Sequence, residues 1–543
     1  FVFKQNSVQN RQLKYKDFDT KKEYIQGLNS LSESRDESQY YNLQAFMSYT
    51  KSFGKHDIDV MAGYQQESSK SAYIGAWRSG YPTDLAWVLD GGPTDNWTNW
   101  GNGEHWALAS FVARANYAFD NKYMLSGSVR VDGSSRFKKE NRWATFAAVS
   151  GAWRISQEKF MASTKNVIND LKIRASWGQT GAATGLGLYP SYSSIGMGSV
   201  VLGNSWMQTA YLSNIGNPEL SWELTEMVNI GLDFRTLNNR LSFTGEYYIK
   251  TSKDILIGLP VPMEYGFGKP NTNIGKMRNN GWELELAWRD TAGDFNYSVS
   301  ANISDNRNKV LDLGGTGPWK SGSSYTEEGK PFGQVYGYEA MGLFQTKEEL
   351  KNAAFQKSVT DVGDVRYKDQ NDDKKINSED RVVLGDQYAH FIYGARFAAD
   401  YRNFDLSVLF QGIGQKNIFI SDYIVRPLQE GCVFEHQLDY WSKDNTGAKY
   451  PRILNKEDGN HNYEKSDFWK QNAGYLRVKN LQVGYTFGKR MLGNSGFDSI
   501  RLYFSANNLF TISNITKGID PETSNSLTYP FARTYSFGLN VQF

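Results

Sequence analysis

Between Asp369 and Asp380 the chain reads D-Q-N-D-D-K-K-I-N-S-E-D, a spacing that suits a hard cation. Asp369, Asn371 and Asp373 fall at the first, third and fifth positions of an EF-hand-like loop. Lys375 offers its carbonyl at the seventh, Ile376 is the hydrophobic eighth, and Asp380 stands at the twelfth. Such an ion needs several oxygens converging on one point, and acids at alternate loop positions supply them. Calcium is the ion this loop would take. Against it, Lys374 replaces the turn glycine, Asp380 is shorter than the usual bidentate glutamate, and two lysines repel the ion. The competing reading is a solvated acidic turn.

A second set is aromatic. Between Tyr73 and Trp106 stand Trp77, Tyr81, Trp87, Trp97, Trp100 and Trp106. Indole faces stack on the C–H faces of pyranose rings, which makes Trp77, Trp87, Trp97 and Trp100 the candidate substrate-binding residues. Loop packing, or docking of another protein, asks for the same side chains. Arg114, Arg130, Asp233, Arg235 and Glu246 are candidates to line a polar path, or to pair with one another. No Walker loop, nucleophile elbow, HExxH or Ser-His-Asp set is found, so no enzyme is expected. The lone Cys432 cannot form an internal disulfide and reads as inert, and the five histidines are scattered. Asn96-Trp97-Thr98 and Asn514-Ile515-Thr516 match the N-glycosylation pattern.

The elements that must carry these residues are strands. The last thirteen residues, F-A-R-T-Y-S-F-G-L-N-V-Q-F, place Phe531, Tyr535, Phe537, Leu539, Val541 and Phe543 on one face. The other face holds small and polar residues, the pattern of a tilted membrane strand with aromatics at both ends. The same alternation recurs from end to end, in Ala109–Phe119, Tyr123–Val131, Val228–Phe234, Leu241–Ile249 and Phe295–Ile303. With weaker cases near 1–15, 56–69, 142–155, 168–179, 276–289, 390–401, 404–412, 474–487 and 499–510, about sixteen strands are expected. The connections alternate between short turns and long segments, notably 70–105, 180–220, 306–389 and 413–473, as in barrels with tight turns on one rim and large loops on the other.

Bulk composition agrees. The chain has 543 residues, 15% aromatic, with 51 Gly and 13 Pro, and a mean hydropathy of −0.57. No apolar run approaches the length of a membrane helix, which leaves a barrel open because inward polar residues dilute the apolar ones. The net charge of +2 argues against nucleic acid as a partner. The expected fold is all-β, a transmembrane antiparallel barrel contacting outer-membrane lipid. Phe1 is no initiator and no signal peptide is visible, so residues 1–543 are expected to be a C-terminal portion of a longer protein.

Several phrases resemble the SusC/RagA family of TonB-dependent outer-membrane transporters. They are Y-T-K-S-F-G-K-H-D-I-D-V-M-A-G-Y from Tyr49, V-D-G-S-S-R-F from Val131 and W-A-T-F-A-A-V-S-G-A-W-R-I from Trp143. G-N-P-E-L-S-W-E follows from Gly216, N-I-G-L-D-F from Asn229 and N-I-G-K-M-R-N-N-G-W-E-L-E-L from Asn273. N-N-L-F from Asn507, G-I-D-P-E from Gly518 and Y-P-F-A-R-T-Y-S-F-G-L-N from Tyr529 complete the ordered set. The resemblance implies a 22-stranded barrel, of which these strands would be the last sixteen. It also implies a plug and a TonB-contacting segment in the missing N-terminal part, a SusD-like surface lipoprotein as lid, and a dimer of transporter–lipoprotein pairs. The function implied is TonB-dependent import of a large nutrient, oligosaccharide before peptide, with no cofactor required. The rivals are a passive porin and a surface adhesion or assembly barrel.

Overall fold

A computed structural model describes all residues except 1, 12, 17–20, 84, 86, 96, 184, 186, 260–263, 265, 267–268, 422–423, 429–432, 455–459 and 524–530. Asn96 and Cys432 lie outside the described residues.

The alternating segments form one antiparallel meander of sixteen strands. Its first half runs through Val2–Asn10, Ser30–Phe53, His56–Ser79, Trp97–Phe119, Tyr123–Ser134, Trp143–Arg154, Ile168–Ala182 and Glu223–Thr236. Its second half runs through Leu241–Gly258, Asn271–Ala292, Phe295–Asp312, Ala389–Tyr401, Phe404–Phe419, Tyr475–Gly488, Ser499–Asn507 and Thr534–Gln542. Each strand pairs with its neighbour in sequence. All sixteen expected strands are present. Short strands at Lys470–Asn472 and Thr511–Ser513 extend two of these ladders.

The tight turns at 54–55, 120–122, 237–240, 293–294 and 402–403 fall at alternate connections and so leave the same rim, which they share with the longer segments 155–167 and 489–498. Residues that tolerate left-handed backbone make the tight turns: Gly54 at φ 60°, Asp120 and Asn121 at 53°, Asn238 at 58° and Gly293 at 63°. Neighbouring turns are laced together. Lys55 Nζ lies 3.1 Å from Asp120, Lys122 lies 3.7 Å from Glu158, and Arg402 lies 3.3 Å from Asp294. The Leu237 amide donates to the Val167 carbonyl (3.2 Å) and the Thr486 amide to that of Asn403 (2.8 Å).

The two faces differ as the alternation requires. Phe111, Leu125, Val149, Ile230, Leu286 and Leu539 are about half exposed on the outer face. The inner face is a ladder of polar contacts. Asn116 and Thr50 both donate to Asp59 at 2.9 Å, Arg130 reaches Asp132 at 2.7 Å and Ser110 at 2.9 Å, and Arg501 grips Asp405 with two nitrogens. Arg174 bridges Asp233 and Glu246, and Arg114 lies 3.6 Å from Asp59. Of the five charged candidates, Arg114, Asp233 and Glu246 are therefore ion-paired across strands, and Arg130 pairs with Asp132 within its own strand.

The sheet is not closed by the described pairings. Val2–Asn10 pairs only with Ser30–Ser38, and among the described residues no ladder joins it to Thr534–Gln542. No helix is long and apolar enough to cross a membrane, which says nothing of strands.

The long connections differ from expectation in detail. The 70–105 stretch, expected as loop, is mostly strand: His56–Ser79 and Trp97–Phe119 leave only 80–96 as connection. Their 24 and 23 residues, at about 3.3 Å each, exceed the roughly 30 Å of hydrocarbon. Beyond that band both faces are wet, so the apolar period fades while ladder hydrogen bonding continues. The 180–220 segment holds a hairpin, Ser194–Leu202 with Ser205–Asn214. Within 306–389 lies a four-stranded sheet of Trp319–Ser321, Ser324–Thr326, Gln334–Tyr338 and Arg381–Gly385. The dry cores sit here rather than in the barrel: Tyr338, Val365 and Tyr367 form one, and Ile418, Ile424, Tyr450 and Trp469 belong to another.

Candidate functional site

At the long-loop end, segments far apart in sequence meet. Phe137, from the V-D-G-S-S-R-F phrase, is wholly buried and packs with Leu220 and Ala183. Trp222, from G-N-P-E-L-S-W-E, lies 5.5 Å from the Phe137 ring and 5.7 Å from Phe146. Its Nε1 donates to the Arg142 carbonyl at 3.0 Å, which satisfies the one polar atom of a ring held among apolar neighbours. Asn273 opens the third phrase. Its amide nitrogen donates to the Ser221 carbonyl and its oxygen accepts from the Ser221 amide, each at 2.9 Å. Three phrases scattered over the sequence thus build one corner.

That corner walls a cavity of about 780 Å³, lined by Glu67, Trp106, Arg130, Asp132, Arg136 and Trp222 among others. The Arg136 guanidinium lies 6.0 Å from the Trp106 ring centroid and donates to the Gly187 carbonyl at 3.3 Å. Tyr189 OH ties the same connection to the His105 carbonyl at 2.7 Å. Aromatic faces beside fixed charges and carbonyls can take a ligand with both C–H faces and hydroxyl or amide groups.

The four candidate tryptophans are not brought together. The ladder between His56–Ser79 and Trp97–Phe119 has no bulge, so Trp77, Trp100 and Trp106 share the inner face with Ser110 and Arg114. Trp100 covers Gly75, where a Cβ would lie 2.4 Å from the indole. Trp97 points to the opposite face, 59% exposed. Trp87 lies in the connection, 5.5 Å from Tyr81, with its Nε1 buried and unpartnered. The cavity residues Glu67, Arg136, Phe146 and Trp222 were not among the sequence candidates. Arg136 and Trp222 stand inside the quoted phrases, which was the available signal.

The acidic loop is folded upon its own amides. The Asp369 carboxylate accepts from the Lys374 amide at 2.9 Å, Asn371 from Asp373 at 3.1 Å, and Asp373 from Lys375 at 2.8 Å. Asp380, fully buried, accepts from the amides of Gln370 (2.9 Å) and Asn377 (2.8 Å). Asp369 Oδ1 is the one buried carboxylate oxygen of the loop without a partner. Among the described residues no three His, Cys, Asp or Glu side chains converge closely enough to hold a metal ion.

Deeper in the same connection, Asp364 is fully buried and clasps two loops together. Arg452 reaches both of its oxygens (2.7 and 2.9 Å), His461 Nε2 lies at 2.9 Å, and Asn462 donates at 3.0 Å. Burial alone would raise its pKa, but the contacts from His461, Arg452 and Asn462 outweigh that and hold it at about 2. At the other end of the loops, Arg477 donates to Asp520 at 2.7 Å. Its Nη1 lies 2.8 Å from Glu522, an ion-pair contact rather than an aligned hydrogen bond. Asp520 and Glu522 belong to the G-I-D-P-E phrase.

The family model described as "TonB dependent receptor-like, beta-barrel" matches residues 2–509. The chain belongs to the TonB-dependent receptor β-barrel family. It is of the SusC/RagA type. TonB-dependent receptor P3 of Formosa agariphila is 30% identical over 554 residues, 96% of this chain and 53% of its own length. TonB-dependent receptor SusC of Bacteroides thetaiotaomicron is 28% identical over 560 residues, 96% of this chain and 52% of its own. Among solved structures, the RagAB peptide transporter superposes with a TM-score of 0.78 at 25% identity, covering 95% of this chain and 56% of that one. This TonB-dependent receptor chain spans about half the length of the curated relatives it matches.

Proposed function

We propose that this chain is the C-terminal barrel portion of a bacterial outer-membrane importer that takes up oligosaccharides with energy delivered through TonB. The observation that carries the reading is the inner face. Sixteen strands present an ion-paired polar ladder inward, and it leads up to a cavity where Trp106, Trp222 and Phe146 stand beside Arg130, Asp132 and Arg136. A sugar offers such a site C–H faces for the rings and hydroxyls for the charges. The long connections, with dry cores of their own, are stiff enough to shape a mouth.

In this reading a SusD-like surface lipoprotein closes over the long-loop rim, and two transporter–lipoprotein pairs form a dimer. TonB acts through the missing N-terminal part, moving a plug out of the lumen. The chain's own residues bind and guide ligand, and no bond is made or broken. Peptide import is the second reading, favoured by the similarity to the RagAB peptide transporter.

Uptake decides between them. A strain lacking the gene, fed fluorescently labelled oligosaccharides or labelled peptides of matched size, is expected to lose oligosaccharide uptake and keep peptide uptake. The reverse pattern would establish the peptide importer. Unchanged uptake of both would leave an adhesion or assembly barrel.

A further inference from the structure

A second cavity, of about 670 Å³, lies at the outer ends of Leu241–Gly258, Asn271–Ala292 and Phe295–Asp312. Its walls are apolar: Ile255, Ile257, Met277 and Val310 from the strands, with Trp319 and Phe332 from the connection that follows them. Gly275 keeps the space open, since a Cβ there would lie 2.4 Å from Ile257 Cδ1. The cavity shares a wall with the corner that bounds the larger one. Leu256 lines it and packs against the Phe137, Ala183 and Leu220 cluster. Trp222, which lines the 780 Å³ cavity, packs against the same cluster. The Asn273 amide joins the two sides, donating to the carbonyls of Ser221 and Asp254 at 2.9 Å each.

The polar groups around this second cavity have partners within the protein. Lys276 faces Asp312 in the ladder, and its charge acts on Glu226. The Glu223 carboxylate accepts from the Leu256 amide at 2.8 Å, and that of Glu328 from the Leu313 amide at 2.8 Å. Asp312 accepts from the Gly314 amide at 2.7 Å. Trp319 Nε1 donates to the Thr316 hydroxyl at 2.9 Å, which in turn donates to the Leu313 carbonyl at 2.6 Å. Lys320 Nζ lies 5.4 Å from the Tyr336 ring centroid. Cations and acids thus offset one another, and the wall is mainly aliphatic and ring surface. A bare pyranose buried against it would leave hydroxyls without partners. An apolar group loses nothing of that kind and gains contact with two rings and a thioether. The volume admits a whole ring.

We propose that this cavity is a subsite for an aryl group carried by the imported ligand. An aryl aglycone on a glycan and an aromatic side chain on a peptide present the same chemistry, so the test carries both. The inference deepens the import reading, and rests on it for the origin of the ligand. The body of the ligand lies in the 780 Å³ cavity and its aryl group across the shared wall.

The full-length transporter is reconstituted in lipid nanodiscs, because detergent would compete for an apolar cavity. Saturation-transfer NMR, with empty nanodiscs as blank, measures two aryl probes, para-fluorophenyl glucoside and para-fluorophenylalanyl-glycinamide. Their partners without the ring are methyl glucoside and glycyl-glycinamide. At least one aryl probe is expected to bind about tenfold more tightly than its partner, and the one that does names the source. Phe332→Ser removes a ring that is nearly half exposed, and Met277→Trp fills the cavity from its wall. Each is expected to abolish the aryl preference, with folding checked by heat-modifiable migration on gels. A preference that persists in the folded variants would overturn the proposal, as would wild-type protein that binds both pairs alike. No aryl preference in a transporter that still imports oligosaccharide would overturn the subsite alone. A cavity-dependent aryl preference in a transporter that imports neither glycans nor peptides would support the subsite and remove the import reading.

Discussion

Asp364 shows what single residues do in this molecule. With no solvent exposure and four partners, it holds the connection 313–388 against 420–474. Its pKa is lowered from 3.8 to about 2. A depressed carboxylate pKa contributes stability above the unfolded value and loses it as pH falls through the folded one. The clasp is therefore expected to be intact above about pH 4 and to lose roughly 2 kcal/mol as the pH drops toward 2. Hydrogen exchange at the Val365 amide, which donates to Asn462 at 2.8 Å, reads this directly. Protection unchanged from pH 6 to pH 2.5 would refute it. Asp364→Asn at pH 6 is expected to cost about 3 kcal/mol locally, since Arg452 would face no buried charge. Asp380 acts within its own loop. Asp380→Ala leaves the amides of Gln370 and Asn377 without acceptors, a cost of about 1–3 kcal/mol, seen as faster exchange across 370–380. Because the loop's carboxylates do not converge, millimolar calcium is expected to leave that exchange unchanged in the wild type. Slower exchange with calcium would show that the loop closes around the ion.

At the scale of the strand, close backbone approach sets the rules. Gly538 in the last strand lies against Tyr503 of its partner, where a Cβ would sit 2.1 Å from the ring. Gly538→Leu is expected to weaken that pairing by about 1–3 kcal/mol and to deplete the folded, heat-modifiable species. Gly127→Ala meets nothing within 4 Å and is expected to be neutral or slightly stabilising. Equal behaviour of the two would mean that the last ladder is not packed as described. Strands were also the most legible elements. Inward polar and outward apolar residues alternate wherever one face meets lipid and the other water, so all sixteen could be read from period two. Their outer ends could not. Residues such as Ser68–Ser71 and Gly101–Glu104 are polar or small on both faces, and only the ladder shows them to be strand. The sheet of Gln334–Tyr338 with Arg381–Gly385 was hidden for another reason: its partners lie more than forty residues apart and each strand is five residues long. The candidate site was legible only in part. The aromatic crowd at 73–106 included Trp106, but Trp222 and Arg136 join it through contacts that no local spacing encodes.

For the whole molecule, the described pairings leave Val2–Asn10 and Thr534–Gln542 unjoined to each other. Unpaired strand edges cannot rest in hydrocarbon, where each unsatisfied backbone group costs several kcal/mol. In the proposed importer, strands of a longer polypeptide would pair with these edges. Native purification in mild detergent is expected to yield a chain about twice this length together with a surface lipoprotein. A partnerless barrel of 543 residues would favour the porin.

Import driven through TonB must depend on TonB and on the proton gradient. Uptake of a labelled oligosaccharide is measured in cells carrying the transporter, with and without a functional TonB. For an energy-coupled importer, uptake is expected to need both the transporter and TonB and to collapse when the inner-membrane proton gradient is discharged. Transporter-dependent uptake that persists without TonB would contradict it, since ligand would then be passing through an open, passive pore.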